Sequence, residues 1–159
     1  VRTLADYIKL ANEKPGTLTY GSSGIGGAGH LSGELFRMMS KASIVHVPYK
    51  GGGPAMQDLL GKQIASIFAT PISAGPHIKA GKIRAIAVTS AQRTSFMPEV
   101  PTIAESGVRD FSVSVWFGLV APAGTPDAVL DRINADIARL TLLTTDSNRG
   151  LQTGSGCNF

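Results

Sequence analysis

Residues 21–29 constrain the fold of this chain more than any other segment. They contain five glycines, two serines and no charged residue. A short predicted strand at 18–20 precedes them, and a predicted helix follows. The first N–H groups of a helix have no partner inside the helix, and glycine lets a ligand approach that backbone closely. This segment, called the glycine loop below, therefore predicts a pocket for a small anion, either a phosphate or a carboxylate.

The glycine loop also matches the G-x-G-x-x-G fingerprint of dinucleotide-binding folds, through Gly24, Gly26 and Gly29. The preceding strand has Thr and Tyr at 19–20, whereas a buried parallel strand is typically a run of Val, Ile and Leu. About twenty residues further on, where such folds place an acidic residue for the ribose, the chain has VPYK at 47–50. Two alternatives to the anion pocket follow: a fragment of a nucleotide-binding oxidoreductase, and a loop that binds nothing.

Predicted strands and helices alternate along the first half of the chain. Thr3 and Asp6 predict a capping box at the start of the first helix. Apolar spacing predicts that the helix after the glycine loop buries Leu31, Leu35, Met38 and Met39. Strands separated by helices are predicted at 18–20, 44–47, 64–68 and 83–88. This order predicts the α/β class, with a mostly parallel sheet flanked by helices.

The regular alternation ends after the fourth predicted strand. Residues 111–120 form a run without charge. Such a run can cross from one lobe to another, because a stiff Pro- and Gly-containing corner follows it. Thr125 is predicted to cap a last helix, with Pro126 at its first position and an end near residue 140.

Three predicted loops follow the carboxyl ends of three predicted strands: the glycine loop, residues 48–53 (the lysine loop) and residues 69–73 (the threonine loop). Because these ends meet at one edge of a parallel sheet, the loops are predicted to share a crevice. We expect free N–H groups at 23–28 and polar side chains at Ser22, Ser23, Tyr49, Lys50 and Thr70. Two helix starts and one lysine at a crevice favour a carboxylate receptor over a catalytic centre.

Enzyme and metal motifs are missing from the sequence. There is no G-x-S-x-G elbow and no phosphate-binding P-loop. The three histidines, His30, His46 and His77, lack metal-ligand spacing. His46 and His77 are interpreted as structural, and His30 as a residue beside the glycine loop. With no paired carboxylates and a single cysteine, Cys157, the sequence predicts no enzyme, no cofactor and no metal.

Charge and hydropathy argue against a nucleic-acid partner and against a membrane-spanning segment. The net charge is +4, and the basic residues are scattered without interleaved aromatics, so no nucleic-acid partner is predicted. No window of eighteen apolar residues exists, so no membrane-spanning segment is predicted either. The chain starts without Met, directly before a predicted helix, which predicts a processed product or a fragment.

The order and spacing of several motifs resemble the Bug/TctC family, the periplasmic solute receptors of tripartite tricarboxylate transporters. The resemblance covers about residues 4–140. Its most specific parts are VPYKGGGPA at 47–55 and VPTIAESG at 100–107, beside YGSSGIGGAGHLSGELF at 20–36. It implies a type II periplasmic-binding-protein fold, in which two α/β lobes close on a small carboxylate. It also implies a periplasmic location and membrane subunits of the transporter as partners.

The resemblance further implies how the chain is divided. Residues 1–120 correspond to the second ligand-binding lobe, 121–140 to a return helix of the missing first lobe, and 141–159 to a disordered or non-family tail. Self-association through the surface left by the missing lobe is expected around Trp116, Phe117 and the last helix. The ligand-binding residues carried over from the family are Ser22, Ser23, Gly24, Gly26, Gly27, His30, Tyr49, Lys50, Gly51, Gly52 and Thr70.

Overall fold

The computed structural model describes residues 1–115 and 119–144, with side chains up to residue 140. Contacts between residues group Val1–Val115 into one compact unit, and the described residues after it belong to a second. Among the described helices, none is both long enough and apolar enough to cross a bilayer. The elements are α1 (Leu4–Glu13), β1 (Leu18–Ser22), α2 (Ala28–Ser40), β2 (Ile44–Pro48), α3 (Gly52–Leu60), β3 (Ser66–Ile67), α4 (Pro71–Lys79) and α5 (Asp127–Thr144).

Helix α1 begins with the predicted capping box. The Thr3 hydroxyl accepts a hydrogen bond from the Asp6 N–H at 3.1 Å, and the Asp6 carboxylate accepts one from the Thr3 N–H at 3.1 Å. Two N–H groups that a helix start leaves without partners are satisfied in this way. The helix buries Tyr7, whose hydroxyl lies 2.7 Å from the Ser66 hydroxyl. The capping prediction is confirmed, and this contact ties α1 to β3.

Strand β1 lies in the middle of a parallel sheet with the order β2-β1-β3. Leu18 pairs with Ile44 on one side, and Tyr20 pairs with Ser66 on the other. Parallel neighbours need a crossover connection, which α2 supplies between β1 and β2 and α3 supplies between β2 and β3. The predicted α/β class, with a mostly parallel sheet flanked by helices, is confirmed.

The predictions for the third and fourth strands are wrong: one strand is shorter than predicted, and the other does not form. The third strand is Ser66–Ile67 only, not 64–68. The predicted strand at 83–88 does not form, and Val88 makes one isolated bridge instead. The Val88 N–H donates to the carbonyl of Pro101, and its carbonyl accepts from the N–H of Ile103. The backbone of Val88 is thus used by the later loop and not by β3.

The core lies between the sheet and helices α1 and α2. Three aromatic side chains, Tyr20, Phe36 and Phe111, are at most 1% exposed. The ring of Phe36 meets that of Phe111 edge-on, with centroids 6.4 Å apart. It also packs against the tilted ring of Phe68, with centroids 6.1 Å apart. This cluster fixes α2 against the sheet and so fixes the helix start that follows the glycine loop.

The predicted buried face of α2 is wrong. Its buried residues are Ser32, Gly33 and Phe36, whereas Leu31 is 59% exposed and Met38 is 70% exposed. The predicted Leu35 packs partly against the core, and Met39 is exposed. The reason is steric: a Cβ atom on Gly33 would lie 2.1 Å from the ring of Tyr20, so a glycine faces the buried tyrosine.

Helix α5 belongs to the second unit. The predicted cap by Thr125 is wrong, because its hydroxyl donates to the Pro122 carbonyl at 2.8 Å. The first carbonyl that accepts a helical N–H is that of Pro126, at 3.2 Å from the Leu130 nitrogen. The helix then continues to Thr144, beyond its predicted end.

Some predictions fall partly on residues outside the described part. A crossing strand is predicted within 111–120, and residues 111–115 contain no strand. Trp116 and Phe117, which follow in that run, lie outside the described residues. The predicted tail, 141–159, starts inside α5, and its residues 145–159 also lie outside.

Candidate anion-binding edge of the sheet

The three predicted loops meet at the carboxyl edge of the sheet. The Gly51 N–H in the lysine loop donates to the Ser23 carbonyl in the glycine loop at 3.1 Å. A Cβ atom on Gly29 would lie 3.0 Å from the carbonyl oxygen of Phe68, just before the threonine loop. The prediction that the loops share one edge is confirmed.

Three helices begin at this edge: α2, α3 and α4. None of them carries an acidic residue in its first turn. Helices α1 and α5, by contrast, have Asp6 and Asp127 there. The caps of α2 and α3 are Gly27 and Gly51, which provide no side-chain hydrogen bond. Each helix start carries about half a positive charge, so this edge is electropositive and has N–H groups to donate.

Glycine is required at several points of these loops. Gly24, Gly26 and Gly51 have φ angles of 145°, 78° and 111°. Residues with a side chain rarely adopt such backbone conformations. These three predicted site residues therefore shape the loops, and any contact they make with a ligand is through their backbone.

Ser22 does not lie on the loop surface as predicted. Strand β1 extends to Ser22, which is 1% exposed. Its hydroxyl donates to the Gly24 carbonyl at 3.0 Å and accepts from the Gly24 N–H at 3.2 Å. The Gly26 N–H donates to Nδ1 of His30 at 3.1 Å. The prediction of free N–H groups at 23–28 is therefore wrong at Gly24 and Gly26, and the candidate anion site is limited to the N–H groups at the start of α2.

A pair of histidines lies beneath the glycine loop. The rings of His30 and His46 are 4.2 Å apart between centroids, and Nε2 of His46 lies 2.7 Å from the Ser22 hydroxyl. The interpretation of His46 as merely structural misses this pair. The sequence alone offered no signal for it, because the pair follows from the strand register, in which His46 is the β2 partner of Tyr20 and paired side chains lie on the same face of a sheet.

Ser22 and His46 have the spacing of a nucleophile and its base, but not the setting. A nucleophilic serine has to reach substrate, and this serine is buried with its oxygen already bonded to both backbone groups of Gly24. Within the described residues, no three His, Cys, Asp or Glu side chains come together as metal ligands. The geometry is that of a loop anchor.

Charges around the histidine pair are balanced. The Glu34 carboxylate accepts from the Tyr20 hydroxyl at 2.8 Å and pairs with Arg37 at 2.6 Å. The hydrogen bonds from Arg37 and then from Tyr20 lower the pKa of Glu34. Burial lowers the pKa of His46 below its usual 6.5, and repulsion from His30 lowers it further, while the Glu34 charge acts in the opposite direction.

The remaining predicted side chains differ in what they offer. The Tyr49 hydroxyl donates to Asp58 at 2.7 Å and so points to α3. Thr70 caps α4, with its hydroxyl 3.5 Å from the Ser73 nitrogen. Lys50 is exposed and makes no ion pair within the described part of the chain.

A cleft of about 560 Å³ lies beside these loops, lined by Gly52, Gly53, Met56, Gln57, Leu60, Ser73 and His77.

The carboxyl ends of parallel strands, where helices begin at one edge of the sheet, are where α/β folds bind their ligands. Comparison with known proteins places this chain among receptors. The family model described as "Tripartite tricarboxylate transporter family receptor" (TctC) matches residues 1–145. The chain belongs to this family, which confirms the resemblance and gives no support to the oxidoreductase alternative.

Individual relatives agree with the family. The chain is 39% identical over 137 residues to a Pseudomonas sp. (strain P51) protein, "UPF0065 protein in tcbD-tcbE intergenic region", covering 86% of this chain and 41% of that protein. It is similar to the solved structure "R. palustris Rpa4515 with adipate" (TM-score 0.82, 39% identity, 85% of this chain and 45% of that one).

The periplasmic binding protein BugD is similar as well, with a TM-score of 0.77 and 35% identity over 82% of this chain and 44% of that one. The fold is thus that of a periplasmic-binding-protein lobe. The chain spans about two fifths of the length of the curated relatives it matches.

Proposed function

We propose that this chain is the second ligand-binding lobe of a periplasmic receptor that captures a small carboxylate for a tripartite tricarboxylate transporter. One observation carries the proposal: α2, α3 and α4 all start at one sheet edge without an acidic residue in their first turns. A carboxylate fits such a site, because it accepts the unpaired N–H groups and is attracted by the helix dipoles.

Within this proposal the predicted site residues have different tasks. The ligand is contacted by two kinds of group. Backbone N–H groups near Gly27 and Gly52 donate to it, and two side chains, the Ser23 hydroxyl and the Lys50 ammonium, reach it. Buried Ser22 instead holds the glycine loop in shape. The glycines at 24, 26 and 51 provide the backbone turns, His30 supports the loop from below, and Tyr49 and Thr70 order the two neighbouring loops.

The proposed division keeps residues 1–120 as the second lobe and 121–140 as part of the return to a first lobe. The receptor would work in the periplasm, bind without transforming its ligand, and pass it to the membrane subunits of the transporter. Because the similar R. palustris protein was solved with adipate, linear dicarboxylates are the first ligands to test.

Adipate is expected to bind this chain weakly, with a dissociation constant near or above 1 mM, which corresponds to about −4 kcal/mol. A lobe without its partner leaves half of the ligand in water, so each charge-assisted hydrogen bond contributes less than its usual ~1.5–3 kcal/mol. The measurement is a titration of the ¹⁵N-labelled chain with adipate, followed at the amides of residues 27–30 and 51–53.

The Lys50→Gln variant should weaken this binding several-fold. Lys82→Gln is the matched control, because Lys82 follows the opposite end of α4 and is also exposed. NAD⁺ added at the same concentrations should leave the amides unchanged. Shifts with NAD⁺ and none with adipate would contradict the proposal, and micromolar adipate binding would show that one lobe holds a complete site.

We also propose that the chain self-associates through the apolar surface that a first lobe would cover. In the described part of that region, Leu119 and Val120 are 71% and 90% exposed, and Ile133 is 38% exposed. Sedimentation at increasing concentration should show a dimer, weakened by Val120→Ser. Replacing Ile72, 89% exposed on α4, by serine is the control. A chain that stays monomeric throughout would contradict this part.

A further inference from the structure

The glycine loop is held from below at two points. Ser22 holds both backbone groups of Gly24, and His30 holds the N–H of Gly26. The two anchors are connected, because His46 contacts the Ser22 hydroxyl at 2.7 Å and its ring faces that of His30 at 4.2 Å. The loop conformation therefore depends on a pair of imidazoles, of which His30 was predicted to bind the ligand and His46 was not.

We propose that His30 and His46 act together as a positioning unit for the glycine loop, holding it at Gly26 and, through Ser22, at Gly24, and that the hold at Gly26 exists only while His30 is neutral. Where ligand binding is concerned, this inference rests on the proposed function. The conformation of the loop can be measured without any ligand.

Counting hydrogen-bond donors and acceptors assigns the protons. Nδ1 of His30 accepts from the Gly26 N–H, so it carries no proton. The Ser22 hydroxyl has one proton, which goes to the Gly24 carbonyl, and its oxygen accepts from the Gly24 N–H. Nε2 of His46 must then be the donor in its contact with Ser22. The His30 ring is thereby assigned as the neutral Nε2–H tautomer, and the His46 ring as one that carries a proton on Nε2.

Protonation of His30 would place an N–H on Nδ1, directly against the Gly26 N–H. The acceptor becomes a donor, and the anchor at Gly26 is lost. A second charge on the neighbouring ring is unfavourable at a centroid separation of 4.2 Å. The other groups that face the pair are Tyr20 from β1 and the ion pair of Glu34 and Arg37 from α2. Acidification that protonates His30 should therefore release the loop at Gly26.

Stability should change in the same direction. The pKa of His46 is lowered in the folded chain, so the unfolded chain binds the proton first as the pH falls. The stabilisation is fully present above the usual value of 6.5 and is lost as the pH falls through the lower value of the folded state. Carboxyl groups such as Glu34, with lowered pKa values, act only at more acidic pH.

The test is NMR on the full ¹⁵N-labelled chain without ligand, from pH 8 to pH 5. The imidazole spectra should show two Nε2–H tautomers at pH 8. The protection factor of the Gly26 amide, corrected for the intrinsic pH dependence of exchange, should fall roughly two- to tenfold on acidification, as expected for the loss of one hydrogen bond. The amide of Val45 in β2 reports global opening and should keep its protection.

Variants separate positioning from a merely structural role. His30→Asn retains an acceptor for the Gly26 N–H but does not titrate, so its loop should be insensitive to pH. His46→Phe keeps a ring against His30 and loses the contact with Ser22, so Gly24 should lose protection at pH 8. His46→Gln should restore part of the protection of the Gly24 amide, because the glutamine side chain can again donate to the Ser22 hydroxyl. His77→Gln on α4 is the control and should behave like the unmodified chain.

The inference is overturned if Gly26 shows no pH response across the imidazole titration, or if His30→Asn responds as the unmodified chain does. If His46→Phe fails to fold, the comparison of His30→Asn with the unmodified chain still decides the question. An adipate titration of the same samples tests the proposed function separately. A loop that responds to pH in a chain that ignores adipate would support this inference and contradict the proposed function.

Discussion

Replacing Phe36 by alanine is expected to lower the free energy of unfolding of this chain by about 3–5 kcal/mol. The side chain is 1% exposed and lies among the rings of Tyr7, Phe68 and Phe111, with centroids 6.1–6.4 Å away. Its removal leaves a cavity among side chains that other elements hold in place. Because small domains are stable by only about 5–15 kcal/mol, a large part of the stability would be lost. Urea denaturation followed by circular dichroism measures the change.

The matched control is Phe96→Ala, because Phe96 is 54% exposed, with the Lys79 ammonium 5.8 Å from its ring centroid. Surface substitutions usually change stability by less than about 0.5 kcal/mol, and the partial burial of this ring raises the expected loss to about 1 kcal/mol. Equal losses for the two alanine variants would mean that Phe36 is not at the centre of the core.

Gly33→Ala is expected to destabilise the chain by roughly 1–3 kcal/mol, although alanine is the better helix former by about 1 kcal/mol. The new methyl group would lie 2.1 Å and 2.5 Å from two carbons of the Tyr20 ring. That ring is fully buried and its hydroxyl is bonded to Glu34, so it has no free space to move into. Helix α2 would be pushed away from the sheet, and thermal or urea denaturation would show the loss.

Gly53→Ala is the control for this prediction. Gly53 also lies in a helix, and a Cβ atom there would meet nothing within 4 Å. Here the better helix propensity is unopposed, and the variant should be more stable by up to about 1 kcal/mol. A Gly33→Ala variant that gains as much as Gly53→Ala would show that Tyr20 does not press on α2.

Features that depend on neighbouring residues, or on the order of elements along the chain, could be predicted from the sequence. The pairing of Thr3 with Asp6 is complete within one helical turn, so it does not depend on the rest of the fold. The shared edge of the three loops followed from strand order along the chain, since parallel strands carry their ends to one side. The electropositive edge could be predicted because helix starts and Gly-rich segments are recognisable from residue types alone.

Contacts between distant segments were not predictable in the same way. The face of α2 was chosen from apolar spacing, which favours Leu31 and cannot show that Gly33 has to accommodate Tyr20. The contact of His46 with Ser22 depends on the register between β1 and β2, which the sequence leaves open. The predicted strand at 83–88 is apolar but does not form, and the backbone of Val88 bonds to a later loop instead.

The central position of β1 has a consequence for synthesis on the ribosome. The strand is made before either neighbour, and Thr19 is bonded to Ala65, which follows 46 residues later. At about 5–20 residues per second, roughly 2–9 s pass between the two. During that time the edge of β1 that pairs with β3 has no partner strand. We expect the edge of β1 that pairs with β3 to stay open until residues 66–67 have left the ribosome, whereas all the residues that hold the glycine loop, up to Gly51, are made before them.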